Sequence, residues 1–98
     1  MDDVTAQVEC LLRPGGGRLA LEARDPARNL ARGWRIGTGR DLFGSFVVTW
    51  GWGRIGTAGQ IRTIAFPGPV EARPFIRRLL LRRGRAVTRI GAAYRPAR

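Results

Sequence analysis

The sequence contains no lysine, no histidine and a single cysteine, Cys10. One cysteine cannot close an internal disulfide, and without histidine no ligand set for a zinc site remains. The same absences remove the usual nucleophiles and general bases. No pair of carboxylates stands near a proposed cleft, and neither Asp25 nor Asp41 has a visible acid partner. Gly15-Gly16-Gly17 and Gly37-Thr38-Gly39 lack the spacing and the lysine of a phosphate loop. The expectation is therefore a protein that is not an enzyme, with no cofactor and no metal. Long apolar runs are missing too: none approaches the roughly 20 residues of a membrane span. The acidic start Met1-Asp2-Asp3 leads into no signal-like apolar stretch. A soluble, cytoplasmic protein is expected, with Cys10, set among apolar neighbours, as a buried structural thiol.

What is present is arginine. The 98 residues carry 18 basic side chains, all arginine, against 7 acidic ones, for a net charge of +11. A GC-rich genome accounts for arginine in place of lysine but not for the imbalance of sign. That imbalance points to a polyanionic partner, most often nucleic acid; an acidic protein or an anionic membrane surface fits the charge equally well. The hydrophobic share of 44% lies within the globular range. The length supports one domain with one small core.

Periodicity divides the chain. Residues Gln7 to Arg13 alternate as a strand would, with Val8, Cys10 and Leu12 on one side. Pro14-Gly15-Gly16-Gly17 breaks the chain, either as a hairpin turn or as a loose linker that makes residues 1–17 a flexible leader. Leu19, Leu21 and Ala23 mark a second strand, and Asp25-Pro26-Ala27-Arg28-Asn29 a turn. A short strand over 32–36 holds Trp34 and Ile36, and a turn covers 37–41. The strongest strand runs from Leu42 to Trp52, where Phe46, Val48, Trp50 and Trp52 share parity. A glycine-rich loop over 53–59 leads to a strand over 60–66. From Val70 to Arg83, Ala72, Phe75, Ile76, Leu79 and Leu80 make a helical stripe that Gly84 closes. Residues 86–98 form a basic tail that Val87, Ile90 and Tyr94 anchor in part as a last short strand. The expected fold is α+β: an antiparallel sheet with one amphipathic helix on one face.

The stretch Trp50-Gly51-Trp52-Gly53-Arg54-Ile55-Gly56-Thr57 concentrates the chemistry. Indole rings offer flat stacking faces, and arginine brings a fork of donors that matches phosphate. Such a grouping suits a surface that stacks on a sugar or base and grips the neighbouring phosphate. On the residues alone, each tryptophan favours the core.

The order of motifs adds to this. Asp25-Pro26-Ala27-Arg28-Asn29 is followed by Trp34-Arg35-Ile36, Asp41-Leu42-Phe43-Gly44, Trp52-Gly53-Arg54-Ile55-Gly56 and Gly59-Gln60-Ile61-Arg62, then Phe66 and the amphipathic helix. This series resembles the WGR domain family, in bacterial stand-alone form, over about residues 19–85; the domain is placed at 18–85. Trp34 stands where the family usually has Tyr, and the usual Gly-Tyr after the helix is replaced by a late Tyr94. The resemblance implies a mixed antiparallel sheet with a helix on one side, and DNA binding. In eukaryotic poly(ADP-ribose) polymerases this domain contacts a DNA end and relays that contact to a catalytic domain. No polymerase, zinc-finger or BRCT-like segment is visible here, so relay in cis is not expected.

Carried over residue by residue, the resemblance implies Trp52 packed on a terminal nucleotide's sugar, Arg54 on the DNA backbone or a neighbouring domain, and Asn29 at the same surface. Arg62 is added as a residue that reaches that face. The competing readings are structural: Trp52 as core, Arg54 paired with Asp25 or Asp41, Asn29 as a turn residue or cap. Arg73, Arg77, Arg78 and Arg82 read as a solvated helix face that adds long-range attraction. The expected function is recognition of DNA ends, nicks or 5′-phosphates without base-sequence specificity, through an exposed Trp52 and Arg54, by a nucleoid-associated protein. The alternatives are docking on an acidic protein partner in a DNA-processing or regulatory complex and, third, RNA binding.

Overall fold

Among the described residues, five strands run in the order β4-β3-β2-β1-β5, and every pairing is antiparallel. The structure, a computed structural model, describes residues 3–85 and 92–96. In chain order the elements are α1 (Asp3–Leu11), β1 (Arg18–Asp25), a 3-10 turn (Pro26–Arg28), β2 (Leu30–Arg40), β3 (Phe46–Arg54), β4 (Gln60–Phe66), α2 (Pro69–Gly84) and β5 (Arg95–Pro96). The α+β expectation holds, with two helices where one was expected.

The core lies between one face of the sheet and both helices. Strand alternation sends Leu21, Ala23, Trp34, Ile36, Phe46 and Val48 to that face, where all are buried. From α2 come Ala72, Ile76 and Leu80, and from α1 Val8 and Leu11. The stripe in α2 falls where the sequence places it, with Pro69 in the first turn and Arg82 and Arg83 in the last, as the helix dipole favours. Pro74 sits inside this helix and withholds one backbone donor from it. Trp50 meets Phe75 edge-on at 5.1 Å, which fixes α2 against β3.

Residues 7–13 are not a strand, and no hairpin spans the triple glycine. Val4, Val8 and Leu11 recur at helical spacing; Val8 and Leu11 are buried, and Val4 and Leu12 pack partly buried beside them. The first 17 residues are therefore not a loose leader over their described part. Thr38 on β2 ties them down: its hydroxyl donates to the Leu11 carbonyl at the end of α1 and accepts the Gly17 N–H at 2.9 Å. A Cβ at Gly16 would sit 1.9 Å from the Thr38 carbonyl oxygen, and its φ of +82° is left-handed, so this turn requires glycine. Cys10 is half-buried instead of buried, with its sulfur accepting from Arg13 at 3.4 Å.

Two further boundaries move. β2 runs through the expected turn as far as Arg40, because β3 pairs with it over Thr38, Gly39 and Arg40 after β1 has ended opposite Gly37. β3 begins at Phe46, and Leu42 to Ser45 form the turn before it. Tyr94 packs against the core, and β5 pairs with Leu21 and Glu22 of β1. Val87 and Ile90 lie outside the described residues. Among the described residues, no helix is long and apolar enough to cross a membrane.

Candidate nucleic-acid interface

The run Trp50-Gly51-Trp52-Gly53-Arg54 is the last half of β3, and period-two geometry sorts it. Trp50, Trp52 and Arg54 face the helices, whereas Gly51 and Gly53 face outward. The outward positions are crowded: a Cβ at Gly53 would come within 2.7 Å of the Gly59 Cα, and one at Gly51 within 2.9 Å of the Gln60 carbonyl oxygen. Large residues on one side and glycine on the other thus let the 55–59 loop fold back against the strand while the rings and the guanidinium stay on the helix side.

That side is only partly covered. α2 ends at Gly84, and between its last turns, Tyr94 and the end of the sheet lies a groove of about 760 Å3. Its polar and aromatic lining is Trp34, Trp50 and Trp52, Asn29 and Tyr94, with Arg32, Arg54, Arg82 and Arg83. Among the described residues, four arginines and no carboxylate line it. The floor is the ring of Trp34, which is 2% exposed. The Arg83 guanidinium lies 5.2 Å from that ring and 5.7 Å from Tyr94, within cation-π range of both.

Arg54 is held in place. Its Nη1 donates to the Asn29 carbonyl at 3.0 Å and its Nη2 to Asn29 Oδ1 at 2.9 Å. Asn29 can offer both oxygens because it closes the 3-10 turn in the left-handed region, φ 53°, which asparagine tolerates better than most side chains. The pairing of Arg54 with Asp25 or Asp41 does not form. Asp25 binds Arg28 at 2.8 Å, and Asp41 accepts from the backbone of its own turn. The remaining N–H groups of the Arg54 fork are not engaged by any described residue.

The structure therefore brings Trp52, Arg54 and Asn29 together at one groove. Trp52 is half-buried, not exposed as expected, because Trp34 stands directly across from it on β2. Arg62 is on the same sheet face, paired with Trp50, but one strand outward and not in the groove lining. Of the helix arginines, Arg73 is tied to Glu9 of α1, and Arg78 lies over Phe75 at 5.8 Å. Sequence reasoning missed Arg32, Arg83 and Tyr94. Arg32 shares parity with Trp34, and the register that sets it opposite Arg54 is the signal that finds it.

A family model of the WGR domain matches residues 17–86. The chain belongs to the WGR domain family. WGR is a binding domain that is not itself catalytic, and it occurs in nucleic-acid-binding contexts. The chain is similar to the uncharacterized protein y4dW of Sinorhizobium fredii, with 46% identity over 44 residues, 45% of this chain and 22% of that protein. It thus spans less than a quarter of that relative's length. No solved structure matches the chain. The tripeptide that names the family, Trp52-Gly53-Arg54, is the wall of the groove, its glycine placed where the following loop leaves no room for a side chain.

Proposed function

We propose that this WGR domain binds DNA at ends, nicks or 5′-phosphates, without reading base sequence. The observation that carries the reading is the groove itself: among the described residues it has four arginines, no carboxylate, and an indole wall beside an anchored guanidinium. Trp52 stacks on the exposed sugar or base of a terminal nucleotide, a contact worth about 1–3 kcal/mol. Arg54, braced by Asn29, takes the adjoining phosphate. The other arginines raise the encounter rate and make binding fall with salt. A groove at the end of a sheet admits a nucleotide at a break more readily than one inside a closed duplex. The protein in this reading is nucleoid-associated and supplies binding, not catalysis.

Fluorescence anisotropy tests this with a nicked, 5′-phosphorylated duplex against a covalently closed circle of equal length. Tighter binding to the nicked DNA is the expected result. Equal and weak binding to both would reduce the charge to non-specific attraction and turn the groove toward an acidic protein partner.

A further inference from the structure

Arg32 and Arg54 face each other across β2 and β3. The Ile55 N–H donates to the Ala31 carbonyl at 2.9 Å, which brackets the two arginines as a non-hydrogen-bonded pair. In that arrangement facing Cα atoms are only about 4.5 Å apart, the closest approach an antiparallel ladder offers. Like charges at such a position destabilise a sheet. Among the described residues no carboxylate lines the groove to offset them: Asp25 binds Arg28, and Glu22, on the opposite face of the sheet, binds Arg24. Arg32 is exposed and engages no described residue. Asn29 fixes Arg54 from one side, so the pair cannot relax by swinging Arg54 away without losing two hydrogen bonds.

We infer that Arg32 and Arg54 are the two jaws of a phosphate clamp, a role that rests on the nucleic-acid reading above and assigns Arg32 to it. Arg54 is the preset jaw and Arg32 the mobile one. A phosphate between them accepts from both forks and turns a mutual repulsion into two attractions. The proposal applies equally to a 5′-terminal phosphate and to a phosphodiester of the backbone.

The clamp predicts opposite effects on stability and binding. Arg32→Gln removes the repulsion, so the melting midpoint of the free protein rises by a few degrees at low salt, and the gain disappears at high salt. The same variant binds a nicked duplex several-fold more weakly, and the slope of log K against log salt falls by about one. Arg32→Lys keeps the slope but loses affinity, because a point charge does not reproduce the fork. Titrating nicks with and without the 5′-phosphate assigns the ligand: a penalty confined to the phosphorylated nick places the terminal phosphate in the clamp, and a penalty shared by both places a phosphodiester there.

Arg32→Gln with an unchanged midpoint and an unchanged salt slope would overturn the clamp. Failure of the DNA reading is separable. If the wild type shows no preference for nicked DNA, inorganic phosphate at constant ionic strength must still raise the midpoint of the wild type and not that of Arg32→Gln. Without that difference the clamp is also lost.

Discussion

The two ends of β3 lie roughly 26 Å apart along the strand and solve the problem of exposure in opposite ways. At the Arg54 end, charge gathers around half-buried rings, and Arg32 and part of the Arg54 fork engage no described residue. At the Phe46 end, the turn before the strand holds out two apolar side chains, Leu42 at 100% and Phe43 at 91% exposure. That turn is complete in itself. Asp41 Oδ1 accepts from the backbone N–H of Phe43 and of Ser45, both at 2.9 Å, and Arg40 donates to the Gly44 carbonyl at 2.8 Å. The apolar end therefore keeps its shape with its polar groups satisfied. The arginine end keeps its shape in spite of charges that repel. Like charges gathered at one end make its properties follow ionic strength. The apolar end has no such dependence.

Five variants probe this contrast. The largest effect separates the floor of the groove from its wall. Trp34→Ala empties a buried site and costs about 3–5 kcal/mol of stability, whereas Trp52→Ala keeps the fold, as circular dichroism reports, and weakens nicked-duplex binding by the 1–3 kcal/mol of a lost stacking contact. Unfolding of Trp52→Ala would instead make that ring a core residue. Next is Asn29→Gly, which preserves the left-handed turn and the backbone carbonyl brace but removes the side chain that carries Oδ1. Losing one brace of Arg54 costs about 1 kcal/mol in binding, and titration with the same duplex measures it.

A smaller effect is expected away from both ends, where Arg73 of α2 holds the Glu9 carboxyl of α1. The hydrogen bond from Arg73 is the main cause that draws the Glu9 pKa below its ordinary 4.5. Because the folded-state value is the lower one, the pair stabilises the fold above the ordinary value, and the contribution is lost as pH falls through the lowered one. Melting curves of Glu9→Gln and wild type differ slightly at neutral pH and converge in acid. Last, Leu42→Ser with Phe43→Ser leaves stability within about 0.5 kcal/mol and leaves DNA binding and its salt slope unchanged.

The sequence shows much of the fold wherever one periodicity dominates. β1, β4 and α2 lie where their patterns place them, and the parity of Phe46, Val48, Trp50 and Trp52 identifies the face that meets the helices. It misleads where two periods overlap. Val8, Cys10 and Leu12 alternate, yet Val8 and Leu11, three apart, are the residues fully buried, and only the tertiary partner decides between the two periods. Leu42 and Phe43 are apolar enough to extend β3 backward, but the Asp41 side chain captures the backbone and ends the strand before them. At the site, Trp52, Arg54 and Asn29 follow from the family motif. Arg32 does not, because its meaning lies in the residue across the ladder, and register is not written in any one segment.

The comparison between the two ends is tested most directly by amide and indole NMR shifts on adding a nicked, 5′-phosphorylated duplex. The Trp52 indole and the amides of Asn29, Arg32 and Arg54 are expected to move together, while those of Leu42 and Phe43 stay in place. Shifts centred on Leu42 and Phe43, with the Trp52 indole unmoved, would contradict it.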